Sequence, residues 1–309
     1  MRLLLILLLV HNAVGMFPKW FLAYTKEHHK NYDAHAEQAA FAILQAKYDF
    51  IKQHNGSLEL SLNANSDQAR YGRSLKMRHR TRRHARRLNT RFDLPYPQQV
   101  DWRPSHVTGV VDQGQCGGCF AFAAVGHLEF WHRQKTGRLV KLSIQQALDC
   151  SWPESEGCEG GLMEDVFLHA IHNPIGTEVN DRWSGHDKRC VHGLRPHVQV
   201  KHFASFDVDY GDNIEALLPS LIAHYGPVPV AVHSTSRHFD LYRSGIVRRE
   251  HCQGEVDHAV LVVGYTDDYW IVKNSWGTSW GQGGYVYIER GRNACNINTY
   301  ASLATSVTV

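Results

Sequence analysis

The 309-residue chain has no apolar run able to cross a bilayer: the longest, Leu3 to Val10, has eight residues against the roughly 20 a spanning helix needs. No internal repeat is visible, which excludes a solenoid. No cysteine precedes Cys116, and only one C-x-x-C pair exists (Cys116 and Cys119), so a zinc module built from paired thiolates is excluded. Only Asn55-Gly56-Ser57 offers an N-glycosylation acceptor, which leaves the last two thirds of the chain without one. With 43% apolar and 20% charged residues, the chain is neither disordered nor fibrous.

What is present begins with a leader. Met1-Arg2, the apolar run and the small residues Ala13, Val14 and Gly15 read as a secretory signal peptide over residues 1–15, so a soluble product that meets an oxidising compartment is expected, with no membrane anchor. Charge divides the remainder. Residues 1–93 carry 16 basic and 7 acidic side chains, and residues 94–309 carry 17 and 23. A basic leader on an acidic body suggests two pieces made for each other. Nine arginines lie between Arg70 and Arg91; without interleaved aromatics they read as a protease-sensitive linker rather than a nucleic-acid site. Arg80-Thr81-Arg82-Arg83 within it resembles a furin-type site.

Lys19 to Asn55 is helix-prone, with Phe41, Leu44, Tyr48 and Ile51 on one helical face. Leu94-Pro95-Tyr96-Pro97 ends the leader. Phe122, Val125, Leu128 and Trp131 predict a buried helix from Cys119 to Gln134, and a second helix is expected over Ser143 to Cys150 with Ser143 as its N-cap. After about residue 226 the texture turns to strands: VPVAVH, HAVLVVGY, YWIVKNS, GYVYIE and LATSVT. An α+β fold of two lobes with a cleft between them follows.

Three glycines around Cys116 and Cys119 let the backbone approach another chain, and a helix beginning at Cys119 favours its thiolate. His258, at the mouth of an apolar strand, can act as a base, and Asn274 can hold its imidazole in one tautomer. Gln113 supplies an amide for an oxyanion. The seven cysteines allow 105 arrangements of three bridges and one free thiol, which counting cannot resolve. A thioredoxin-like redox pair would need a βαβ setting, and the 21 histidines lack metal-ligand spacing.

With DQGQCGGCF, DCS and CEGG, VDHAV and NSWGTSWGQGGY in order, residues 94–309 resemble the papain-like cysteine proteases of the cathepsin group, most similar to cathepsin O. Cys119 lies 139 residues before His258 and 155 before Asn274, against a family range of about 130–150, so small insertions are implied. The resemblance implies a helical lobe over about 94–205, a β-barrel-like lobe over about 206–309, and a mainly helical inhibitory prosegment over 16–93. It also implies bridges Cys116–Cys158, Cys150–Cys190 and Cys252–Cys295, with Cys119 free. The implied catalytic set is Cys119, His258, Asn274 and Gln113, with Cys119 and His258 as an ion pair and no metal or cofactor. Trp276 would shield the histidine. Gly117, Gly160 and Gly161 would present backbone to an extended peptide, and Leu162, Met163, Ala231 and Ala259 would line a shallow apolar specificity pocket floored by Tyr300. Protein substrates, cystatin-like inhibitors, a monomer, and a lysosomal or extracellular location are implied with it.

Three departures from the family pattern stand out. Phe120 replaces the usual tryptophan. Ile51 and Asn55 fit the prosegment signature poorly. Asn63 and Asp67 keep two positions of a second motif in which Asn65 replaces an aromatic. Fourteen of the histidines lie beyond residue 93, so acid and salt are expected to loosen the leader.

Overall fold

The structure, a computed structural model, describes residues 17–69, 94–151, 153–191, 193–194 and 196–309. The signal peptide, the arginine-rich linker and its furin-type site lie outside the described residues. The leader forms α1 (Lys19–Glu27) and α2 (Ala34–Gln53), a break the apolar pattern did not give. Its cause is local: Asp33 caps α2, accepting from the N–H groups of His35 and Ala36. Phe21, Tyr24 and Leu44 form a small core of their own. Asp67 ties this unit together, accepting from Tyr32 at 2.7 Å and pairing with Lys30 at 2.9 Å. Among the described residues, the leader's one strand is β1 (Glu59–Leu60).

Beyond the linker come β2 (Val100–Asp101), α3 (Arg103–His106), α4 (Cys119–Thr136) and α5 (Ile144–Cys150). The Ser143 hydroxyl accepts from Gln146 N–H, as its capping position requires. Then follow α6 (Met163–His172), β3 (Ile175–Gly176), β4 (Pro196–Asp207), α7 (Ile214–Tyr225), β5 (Val228–Val232) and α8 (Arg237–Asp240). The chain closes with β6 (Tyr242–Ser244), β7 (Ile246–Val247), β8 (His258–Tyr265), β9 (Tyr269–Lys273), β10 (Tyr285–Glu289) and β11 (Tyr300–Thr308).

One nine-stranded sheet runs β3-β4-β11-β5-β8-β9-β10-β7, with β2 also on β8. Among the described residues the path is open, so the expected barrel-like closure is not made. Instead the sheet separates two cores. On β11, Ala301 and Leu303 enter one core while Tyr300, Ala304 and Val307 enter the other. On β5, Val230 and Val232 go one way and Ala231 the other. This is strand alternation used to serve two cores at once. The second core wraps α4, so the expected division near residue 205 falls inside β4, a strand the sequence pattern did not reveal. Its Val198 and Val200 face the helical core and its Ala204 and Phe206 the other.

Three disulfides staple the unit: Cys116–Cys158, Cys150–Cys190 and Cys252–Cys295, each closing a loop of 40 to 43 residues. Loops of that length restrict the unfolded chain by about 4 kcal/mol each. Cys119 is the free thiol. Gly226 joins α7 to β5 at φ +83°, and a Cβ there would sit 2.2 Å from Phe130 Cε1. Gly226→Ala is therefore expected to cost roughly 2–4 kcal/mol, from the left-handed backbone and the collision with the ring. An unchanged denaturation midpoint would contradict this packing.

Candidate active site

Cys119 is the first residue of α4, and its side chain is fully buried. The first turn of a helix leaves N–H groups without intrahelical acceptors, so the sulfur lies at the positive end of the helix. Ala259 N–H donates to Cys119 Sγ at 3.4 Å. That contact places the sulfur against the start of β8, next to His258 and across 140 residues of chain.

The imidazole is held by an amide whose orientation is forced. Ser275 N–H donates to Asn274 Oδ1 at 2.8 Å, so this atom must be the amide oxygen. His258 Nε2, 2.8 Å from the same oxygen, is then the ring donor, which leaves Nδ1 as the other titrating nitrogen. Pairing of β8 with β9 brings the two together, with Leu261 opposite Lys273, the residue before Asn274. Trp276 covers the ring, with centroids 5.1 Å apart.

Gln113 reaches the site through a contact the sequence did not reveal. Its N–H bonds Ser275 O at 2.8 Å, and Asp112 bridges Trp276. Ser275 Oγ donates to Gln113 Oε1, and Gln113 Nε2 donates to Cys116 O at 2.9 Å. One Nε2 hydrogen therefore remains. Ser275 sits inside the NSWG run, the only signal that could have suggested it.

Leu162, Met163, Ala231, Ala259 and Tyr300 gather in the helical core with Cys119 and Phe120. Tyr300 donates its hydroxyl to Glu164, which also accepts from Ser205 at 2.8 Å, so a carboxylate lies beneath the expected apolar floor. Glu164 was not anticipated. Gly117 N–H bonds Cys158 O at 2.8 Å, beside the Cys116–Cys158 bridge. Gly160 donates to Gly157 O and accepts from Glu156 N–H. At Gly161 a Cβ would meet Ser155 at 2.7 Å and Phe120 at 2.9 Å, so only glycine fits over that ring. Asp257 is engaged by Ser234, whose N–H and Oγ both donate to it.

Burial pushes the Cys119 thiol up to about 12, against the pull of the Ala259 and Phe120 N–H groups. It pushes the His258 imidazole down, against the Asn274 bond and the Asp257 charge. Burial thus disfavours each charge taken singly, while a thiolate and an imidazolium in contact favour one another.

Fold and site together define a peptidase with a thiol, an imidazole and an amide arranged across two cores. Residues 96–305 match the model of the papain family cysteine proteases. A cathepsin L-like protein of Caenorhabditis elegans is 42% identical over 224 residues, 68% of this chain and 65% of that protein. Cathepsin L of Sarcophaga peregrina is 36% identical over 311 residues, 91% of each chain. The structure of digestive procathepsin L2 proteinase from Tenebrio molitor larval midgut superposes with a TM-score of 0.84 at 29% identity, covering 93% of this chain and 99% of that one. The chain belongs to the papain family of cysteine proteases, in the cathepsin group; these relatives do not single out the cathepsin O subgroup.

Alkylation of Cys119 in the intact chain follows from its raised pKa. Between pH 7 and 10 the rate with iodoacetamide is expected to stay below about a tenth of that of an exposed thiol. A rate equal to the denatured control near neutral pH would contradict the burial effect.

Proposed function

We propose that the chain is a cysteine endopeptidase made as a secretory or lysosomal zymogen, with residues 1–15 as signal peptide, 16–93 as prosegment and 94–309 as the peptidase. The observation that carries this reading is the free sulfur of Cys119 at the start of α4, accepting an N–H from the residue next to His258. The Cys119 thiolate attacks a peptide carbonyl and forms a C–S bond. Cys119 N–H and the remaining Gln113 Nε2 hydrogen receive the oxyanion. His258 gives its proton to the leaving amine as the C–N bond breaks, then takes one from the water that hydrolyses the thioester. Asn274 keeps the ring oriented and Trp276 keeps water from that bond. The backbone of Gly161 pairs with an extended substrate, while Leu162, Met163, Ala231, Ala259 and Tyr300 receive a modest apolar side chain two residues before the cut. The enzyme acts as a monomer on proteins and peptides and takes cystatin-like inhibitors. Asn55, exposed after α2, carries the glycan.

The prosegment inhibits by docking beside the site. β1 pairs with β6, Leu58 and Leu60 enter the adjacent core, Lys47 pairs with Asp240 at 2.8 Å, and Asn65 Nδ2 reaches Trp276 O at 3.5 Å. Release uncovers Trp276, whose ring lies over His258.

Acid sensitivity concentrates in one place on this interface. The His54 ring of the leader lies 5.3 Å from the His238 ring and 6.3 Å from the His251 ring, and these two are 4.9 Å apart. Arg237 stacks over Phe50 beside them, and Arg248, Glu250 and Glu289 act on His251. Burial first, then the neighbouring histidines, pushes His238 down; burial also pushes His251 down. The nearby His54 of the leader pushes both rings further down. The docked state therefore binds fewer protons than the separated one. Docking is fully strong above the ordinary histidine pKa of about 6.5 and weakens as pH falls through it.

Two outcomes are expected. A thiol-directed epoxide labels the processed protein and not its Cys119→Ser variant; an unlabelled but folded processed protein would refute the catalytic reading. Inhibition by the separate prosegment weakens by up to about tenfold per proton taken up per pH unit below 6.5, and His54→Leu flattens that dependence. Equal pH slopes for the two prosegments would remove the histidine cluster from the account.

A further inference from the structure

A second polar group links the two cores behind the site. Glu129 lies on α4 ten residues after Cys119, about 15 Å along the same helix. Lys273 ends β9 and immediately precedes Asn274. Glu129 is buried and Lys273 half-buried. Between them stands Thr108, whose hydroxyl donates to Glu129 Oε2 at 2.6 Å and accepts from Lys273 Nζ at 3.3 Å. Leu142 N–H holds the other carboxylate oxygen at 2.9 Å. Together they wall a cavity of about 30 Å³ that Asn274, Ser275 and Ala259 also line.

We infer that Glu129, Thr108 and Lys273 form a clamp between the α4 core and the strand that carries Asn274, and that they are positioning residues for the cleavage reaction. The inference rests on the proposed roles of Cys119, His258 and Asn274. Apolar side chains of similar volume would fill the seam with less desolvation, and placing opposite charges in such a seam is often no more stabilising than that. What a directional lysine–hydroxyl–carboxylate chain adds is register. It fixes where the end of β9 stands relative to the helix whose first residue is Cys119. Asn274 follows Lys273 directly, so slack in the clamp passes to the Asn274–His258 bond. Small displacements matter at such a site, because misplacement of about 1 Å can cost up to about 100-fold in rate.

The charges that face the clamp are few. Lys141 and Glu178, 3.8 Å apart at the cavity mouth, act on Lys273 and Glu129 respectively. Burial pushes Lys273 down and Glu129 up, and each counters the shift of the other. The Asn274 bond pulls His258 upward. Loosening that bond therefore lowers the histidine pKa.

The test compares Thr108→Val with Thr108→Ser in the full chain after processing, with Cys119→Ser as the inactive control. Valine removes the shared hydroxyl at nearly constant volume, and serine restores it. Thr108→Val is expected to lower kcat about tenfold with KM within about twofold. In the Cys119→Ser background it should move the His258 imidazole titration, followed by NMR, to lower pH. Thr108→Ser should return both toward wild type. Lys273→Met combined with Glu129→Leu keeps the seam filled without leaving a lone buried charge, and should fold while showing the same kcat loss. Wild-type kcat and His258 titration in Thr108→Val, or equal losses in the valine and serine variants, would overturn the clamp. A wild-type enzyme that neither cleaves nor labels would instead defeat the catalytic roles, and the imidazole titration would still judge the clamp.

Discussion

Everything at the site depends on one contact between a helix end and a strand end: the Cys119 sulfur accepting the Ala259 N–H at 3.4 Å. The helix gives the sulfur its position and favourable field, and the strand gives it a histidine. Neither element could do both. A helix N-terminus alone is a common feature, and His258 at the mouth of an apolar strand would ordinarily be structural. The donor is backbone, while the Ala259 side chain, unlike that of its neighbour Val260, packs into the helical core with Cys119.

The same contact works against the burial around it, because the Ala259 N–H pulls the thiol pKa back down. Burial raises the thiol and lowers the imidazole. Backbone donors soften this effect without reversing it. The leader reaches Trp276 through Asn65 Nδ2, beside the tryptophan ring that covers His258.

Legibility in the sequence followed the range of the forces involved. The helix from Cys119, the Ser143 cap and five strands were visible because each depends on residues within a few positions of one another. The break between α1 and α2 was missed because the apolar face continues across it, while the deciding residue, Asp33, is polar. β4 was missed because its inward residues change cores midway, which blurs any single period. Glu164 beneath Tyr300, Ser275 on Gln113, and Thr108 between Glu129 and Lys273 were not visible. Each is a contact between side chains more than 20 residues apart, and local pattern carries no trace of such contacts.

The shared sheet also constrains specificity. Ala231, Ala259 and Tyr300, proposed to line the pocket, lie on three sheet strands, β5, β8 and β11. Their immediate neighbours Val230, Val260 and Ala301 pack into the opposite core. Any larger residue in the pocket must displace a strand whose other face is already close-packed, so shape changes there disturb both cores. Changes on Leu162 and Met163, which enter from the start of α6, meet only one core. Changes in pocket size are therefore cheapest on the α6 side, and the sheet side already carries a polar pair, Tyr300 and Glu164.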